Sequence, residues 1–74
     1  MKLKIKTAVI GSTGYTGLEL VNLLSKHTNV KLLYLCATKK IGKKISFIDN
    51  RIKKKLPKIS SINKIDWNKL DLVF

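Results

Sequence analysis

Cysteine, histidine and proline each occur once in the 74 residues, and only four residues are acidic. A single cysteine, Cys36, excludes an internal disulfide framework. With His27 as the only imidazole, no set of soft ligands can be assembled, so no metal site is expected. Asp49 and Asp71 stand alone in sequence, unpaired for acid–base work. Long apolar runs are also missing. Ala8-Val9-Ile10 is cut off by Gly11, well short of the ~7–15 apolar residues of a secretory signal. Nothing approaches the ~20 apolar residues of a membrane span. The expectation is a cytoplasmic protein with no membrane partner.

Basic residues are plentiful. Sixteen Lys and Arg against four Asp and Glu give a net charge of +12, which raises the question of a nucleic-acid partner. Yet Lys, Ile and Asn together make 29 of the 74 residues, and all three use A/T-rich codons. The charge is scattered along the chain, with one run at Lys53-Lys54-Lys55. Compositional bias accounts for this pattern, and no nucleic-acid partner is expected. The rival, a small basic nucleic-acid-binding protein, requires a contiguous basic face and steeply salt-dependent binding.

A chain of this length holds about one βαβ unit, at roughly 30 residues or more each. Leu3, Ile5 and Thr7 alternate with Lys4 and Lys6 before the pattern becomes continuous at Ala8-Val9-Ile10. That is a strand entering a sheet and becoming buried on both faces. Leu20, Val21, Leu23 and Leu24 then recur at helical spacing, ending near Lys26, His27 and Asn29. Val30 to Cys36 reads as a second buried strand. Ile45, Phe47, Ile48 and Ile52 suggest a weak helix or irregular loop, closed by Pro57. Ile59 to Ile62 suggests a short strand, residues 66–69 a turn, and Leu70 to Phe74 a further strand. Trp67, Phe47 and Phe74 are expected to pack, and His27 to sit at the helix end. The fold class is therefore α/β: a Rossmann-type parallel sheet, incomplete, with residues 1–74 forming the N-terminal half of a dinucleotide-binding domain and the catalytic part lying outside them. Thr7–Ile10, Val30–Cys36 and Leu70–Phe74 should run parallel, the last flanking the first strand on the side away from the second.

Between first strand and helix lies Gly11-Ser12-Thr13-Gly14-Tyr15-Thr16-Gly17. Its glycines follow the spacing G-x-x-G-x-x-G, a relative of the dinucleotide fingerprint. Gly11 lets the chain turn off the strand, Gly14 lets backbone approach a pyrophosphate, and Gly17 removes a side chain where helix and strand pack. Amides of the first helical turn then face the phosphates, helped by the helix dipole. Ser12, Thr13 and Thr16 add hydroxyl donors, and Ser12 or Thr13 can alternatively cap the helix. The context, after a strand and opening a helix, is the one such a loop requires. The second strand ends Cys36-Ala37-Thr38-Lys39-Lys40, with no carboxylate for a ribose 2′-hydroxyl. Thr38 can donate a hydrogen bond, and Lys39 or Lys40 can pair with a 2′-phosphate, which favours NADP over NAD.

The run from Ala8 to Leu20, with Tyr15 and Glu19 added to the bare glycines, closely resembles the N-terminus of the N-acetyl-gamma-glutamyl-phosphate reductases. These use NADPH to reduce an acyl phosphate to a semialdehyde in arginine biosynthesis. Residues 36–40 stand where that family carries a Ser/Thr-Ser-Arg-like segment, and Leu70 to Phe74 looks like its D-V-V-F strand. Lys in place of Arg keeps the charge but loses the bidentate fork. The resemblance implies NADP bound by Gly11 through Gly17 with Thr38 and Lys39. It also implies an acyl-phosphate substrate, a homo-oligomeric full-length enzyme, and a catalytic cysteine and assisting histidine beyond Phe74. On it, residues 1–74 carry no catalytic residue; Cys36, among the final apolar residues of the second strand, where the adenosine half of a dinucleotide lies, is not expected to be the nucleophile. Aspartate-semialdehyde dehydrogenase is the enzyme alternative; its glycine loop more often has Ala and Val where this chain has Tyr15 and Thr16.

Overall fold

A computed structural model describes residues 4–74; Leu3, where the strand alternation was expected to begin, lies outside them. The elements are β1 (Ile5–Ile10), α1 (Tyr15–Ser25), β2 (Val30–Cys36), the single-turn α2 (Ile45–Ile48), β3 (Ile59–Ser60), 3₁₀ turns at Ile62–Lys64 and Trp67–Lys69, and β4 (Leu72–Val73). The four strands form one sheet in the order β3-β2-β1-β4. Every pairing is parallel. β4 flanks β1 opposite β2, as the doubly wound topology requires. β4 is short, but its ladder is longer: Asp71 N donates to Lys6 O at 2.8 Å, Phe74 N to Ala8 O at 2.9 Å, and Ile10 N to Phe74 O at 2.9 Å.

β1 and β2 do not keep one register. Thr7 opposes Leu32 but Ala8 opposes Tyr34, leaving Leu33 as an extra residue. A bulge of this kind shifts the two-residue period by one. Leu32 and Leu35 therefore share the α1 side of the sheet, in a core with Val9, Val21, Ile45, Ile52 and Ile59. Cys36 and Tyr34 turn to the other face, beside Ala8, Ile65 and Leu70. Strict alternation would have put Leu32, Tyr34 and Cys36 together.

α1 buries a stripe centred on Val21, with Asn22 and Ser25 beside it. Leu23, expected on the apolar face, is 66% exposed. At 100° per residue it lies about 200° from Val21, so it points outward. Ser25 Oγ donates to Asn22 O at 2.8 Å, which settles one of these buried polar groups within the helix. The expectation of packed aromatics also needs correction. Phe47, Trp67 and Phe74 are 73%, 53% and 47% exposed. Phe47 sits on a single turn whose inward side is taken by Ile45 and Ile48, Trp67 lies in a 3₁₀ turn that buries no residue, and Phe74 ends the β4 ladder at the edge of the sheet.

Candidate functional site

Parallel strands β1 and β2 end side by side at Ile10 and Cys36, and the chain leaves both ends in loops that enclose a cleft of about 600 Å³. From the glycine turn come Gly11, Thr13 and Gly14; from the loop after β2 come Ala37, Thr38 and Ile41; from the loop after β3 come Ser61 and Ile62.

The glycine turn has one anchor. The carbonyl of Cys36 accepts from Gly11 N at 2.8 Å, Ser12 N at 2.9 Å and Ser12 Oγ at 3.1 Å. Gly11 makes the turn with φ +75°, in the region that favours glycine. Helix α1 then leans onto the turn. A Cβ on Gly17 would lie 2.0 Å from Gly11 O and 2.8 Å from Gly11 C, so residue 17 must be glycine for the helix to start here. The wall it meets is the turn's own backbone, one step nearer than the strand. Gly14 is the N-cap, and no side chain caps the helix. This corrects the capping expectation for Ser12 and Thr13. Ser12 is fully buried, and its hydroxyl is directed inward to Cys36 rather than toward the cleft.

The first intrahelical bond is Leu18 N to Gly14 O at 2.8 Å. The amides of Tyr15, Thr16 and Gly17 precede it and have no acceptor in the helix. They stand at the positive end of the dipole, with no acidic residue in the first turn to compensate. Tyr15 is 87% exposed, and Thr16 is exposed too. Among the sequence-predicted residues, Gly11, Thr13, Gly14 and Thr38 line the cleft, whereas Ser12, Tyr15, Thr16, Gly17 and Lys39 do not. Lys39 and Lys40 are exposed just past Thr38, and Lys40 takes a left-handed φ of 62° at the corner. Ile41, Ser61 and Ile62 were missed by sequence reasoning. Two exposed isoleucines on separate loops carry no local signal until the fold brings them to one cleft.

Cys36 also lines the cleft, but its side chain is 1% exposed. Burial pushes its thiol above the usual range, offset in part by a contact with Ser60 Oγ at 3.9 Å. Away from the cleft, Arg51 joins Asp49 at 2.7 Å and also pairs with Glu19 on α1. Asp49, expected to stand alone, is thus held by Arg51, whose guanidinium lowers its carboxyl below the ordinary range. No group of three or more potential metal ligands occurs among the described residues. No helix among them is long and apolar enough to cross a membrane.

A glycine turn at the carboxyl ends of adjacent parallel strands, opening a helix whose first amides are unclaimed, defines the dinucleotide-binding class of βαβ units. More narrowly, residues 6–74 match the family described as semialdehyde dehydrogenase, NAD binding domain, and the chain belongs to that family. It is 45% identical over 76 residues to N-acetyl-gamma-glutamyl-phosphate reductase of Ehrlichia ruminantium (strain Gardel), and 37% identical over 75 residues to the enzyme of that name in Rhodospirillum rubrum. All of this chain is covered in both, but it spans only 22% and 21% of the relatives' lengths. Aspartate semialdehyde dehydrogenase of Candida albicans, solved with NADP, has a similar fold at TM-score 0.73 and 26% identity, over 96% of this chain and 22% of that one.

Proposed function

We propose that this chain is the cofactor-binding part of an NADP-dependent reductase that converts N-acetyl-gamma-glutamyl phosphate to N-acetyl-glutamate semialdehyde. The observation that carries the reading is the cleft itself, where the glycine turn, up to the N-cap Gly14 of α1, and Thr38 converge at the ends of β1 and β2. These residues suit a dinucleotide. Gly14 presents no Cβ to a pyrophosphate, and the amides of Tyr15, Thr16 and Gly17 are available to its oxygens. Thr13 and Thr16 can add hydroxyl donors. Ser12 acts at one remove, by holding the turn to Cys36. Ile10, Ile41 and Ile62 give apolar walls against which a base can lie.

Thr38 and Lys39 are the residues we assign to the 2′-phosphate. Lys39 lies outside the cleft lining, but its flexible four-carbon stem starts one residue past Thr38, and a compact ammonium can pair with phosphate from there. The bound cofactor supplies the hydride; the residues of this chain bind and orient it. Cys36 is not the nucleophile in this reading. Its buried thiol is a poor thiolate, and it sits on the second strand, at the adenosine end of a dinucleotide. The acyl phosphate, which the resemblance to the reductases supports, the homo-oligomeric assembly and the cytoplasmic location are proposed for the whole enzyme.

The fold similarity to an aspartate semialdehyde dehydrogenase favours a second reading, reduction of an aspartyl phosphate. Tyr15 and Thr16 in the glycine loop support the first. The discriminating experiment presents the full-length enzyme with NADPH and each acyl phosphate in turn. Consumption of NADPH with the N-acetyl-glutamyl substrate is expected; turnover of the aspartyl substrate instead would establish the second reading, and absence of NADPH binding would sink both.

A further inference from the structure

The lysines that are scattered in sequence are gathered in the fold. Lys43 O accepts from Ile59 N at 2.9 Å, and Gly42 N donates to Ile59 O at 2.7 Å. These two bonds clamp the stretch before α2 alongside the start of β3, which brings Lys43 and Lys44 beside Lys58. A cleft of about 600 Å³ there is lined by Lys44, Lys53, Lys54, Lys55 and Lys58. It runs into a second of about 450 Å³ that shares Lys44 and Lys58 and adds Lys43 and Phe47. On the other side, Lys54 and Lys55 reach Lys4 and Lys31 at the starts of β1 and β2.

No acidic residue lines any of these clefts. The chain's four acidic residues are engaged elsewhere: Glu19 and Asp49 on Arg51, Asp66 on Asn68 N, and Asp71 on Lys6 N. The face is therefore an uncompensated positive belt. Within it Phe47 is 73% exposed, with Lys43 Nζ 5.8 Å from its ring centroid. An open aromatic ring among ammonium groups matches one ligand chemistry. Phosphates at regular spacing would take the lysines, while an unpaired base would take the ring. None of the lining residues belongs to the cleft at the glycine turn.

We propose that this lysine face, with Phe47 as its stacking platform, is a second binding surface that takes single-stranded nucleic acid. It does not depend on the cofactor reading, because the two clefts share no residue. A duplex keeps its bases stacked inward and offers Phe47 nothing, so single strands should be preferred.

The test is fluorescence anisotropy of a labelled 12-residue oligothymidylate titrated with the protein, with circular dichroism to verify that each variant is folded. If about four phosphates are neutralised, raising salt from 50 to 200 mM should weaken binding roughly 50-fold, from a slope of about 0.7 per phosphate. Lys44→Gln with Lys58→Gln should flatten the log–log salt slope by about 1.4, and Phe47→Ala should cost at least about fivefold in affinity. Lys64→Gln with Lys69→Gln removes the same charge from exposed positions off this face and should leave binding within about twofold, since the phosphates are neutralised elsewhere. NADPH should not displace the oligonucleotide. The proposal is overturned by no binding at 50 mM salt, by equal losses in the two double variants, by duplex binding as tight as single strand, or by displacement with NADPH.

Discussion

Replacing Gly17 by alanine pits two effects of known sign against each other. Alanine is the better helix former, by about 1 kcal/mol in a helix interior, and a freely accommodated Gly→Ala change gains about 0.4–1 kcal/mol from the unfolded chain. Against this, the new Cβ would stand 2.0 Å from Gly11 O and 3.0 Å from Ser12 Cα. Ordinary contact begins at 3.4 Å, so helix or turn must give by more than an ångström. The turn is poorly placed to yield, because Gly11 N, Ser12 N and Ser12 Oγ all hang on Cys36 O. Overpacking of this kind costs about 1–3 kcal/mol and occasionally more. With a backbone obstacle the upper end applies, leaving a net loss of about 2 kcal/mol. With the 74 residues as the unfolding unit, that lowers the midpoint by roughly 8–16 °C, readable by circular dichroism. Gly14→Ala is the matched control. Its Cβ meets only Gly11 O at 3.4 Å, its φ of −71° suits any residue, and its midpoint should stay within a few degrees while NADPH affinity falls. A Gly17→Ala protein that melts with the wild type would refute the steric account, and a Gly14→Ala protein with undiminished NADPH affinity would remove the pyrophosphate from this turn.

Four further outcomes are expected. Lys39→Glu in the full-length enzyme should weaken NADPH binding by about 1.5–3 kcal/mol and spare NADH; an unchanged preference between the two, measured by titration, would take the 2′-phosphate away from Lys39. Cys36→Ser in that enzyme should keep most turnover and its acyl-enzyme intermediate, and loss of the intermediate in a folded variant would make Cys36 the nucleophile after all. The same thiol predicts a pH effect. Its folded pKa is raised by burial, so the folded state holds the proton more tightly; stability from this group is complete below the ordinary thiol pKa and declines as pH rises through it, and urea midpoints that stay flat or climb between pH 7 and 10 in wild type relative to Cys36→Ser would contradict that sign. Arg51→Gln removes the pairs of an exposed guanidinium with exposed Glu19 and with the largely covered carboxylate of Asp49, so its thermal midpoint should differ from wild type less in 1 M salt than in low salt, and a difference that grows with salt would show that Arg51 acts through packing.

The sheet and its switch point were legible because they rest on features that are local in sequence: an apolar run, three glycines, a helical repeat, a second apolar run. The parts that were not legible depend on contacts distant in sequence. Leu33 looks like any strand residue, and only its pairing with β1 makes it the bulge that sorts Leu32 from Cys36. Ser12 looks like a phosphate donor until Cys36 O, twenty-four residues on, takes its hydroxyl. Ile41 and Ile62 reach the same cleft from separate loops. Phe47 is a packing residue by type, but the inward side of its one short turn is held by Ile45 and Ile48. The lysines, dispersed by residue number, become one face only after Ile59 pairs with the stretch before α2.

The triple acceptor at Cys36 has a mechanical consequence. The loop that would meet phosphates and the loop that would meet a ribose leave from the same peptide unit, since Cys36 O carries Gly11 and Ser12 while Ala37, the next residue, donates its amide to Ser60 O at 3.1 Å. One rigid peptide plane thus acts as a shared hinge pin for three segments. A shift of that plane is therefore felt at once by the turn after β1, the loop after β2 and the end of β3. Because the pin is backbone, side-chain replacement at residue 36 leaves it in place. The anchor of the opening is then inherited from strand pairing, and replacements along the rim change which groups face a ligand without moving that anchor.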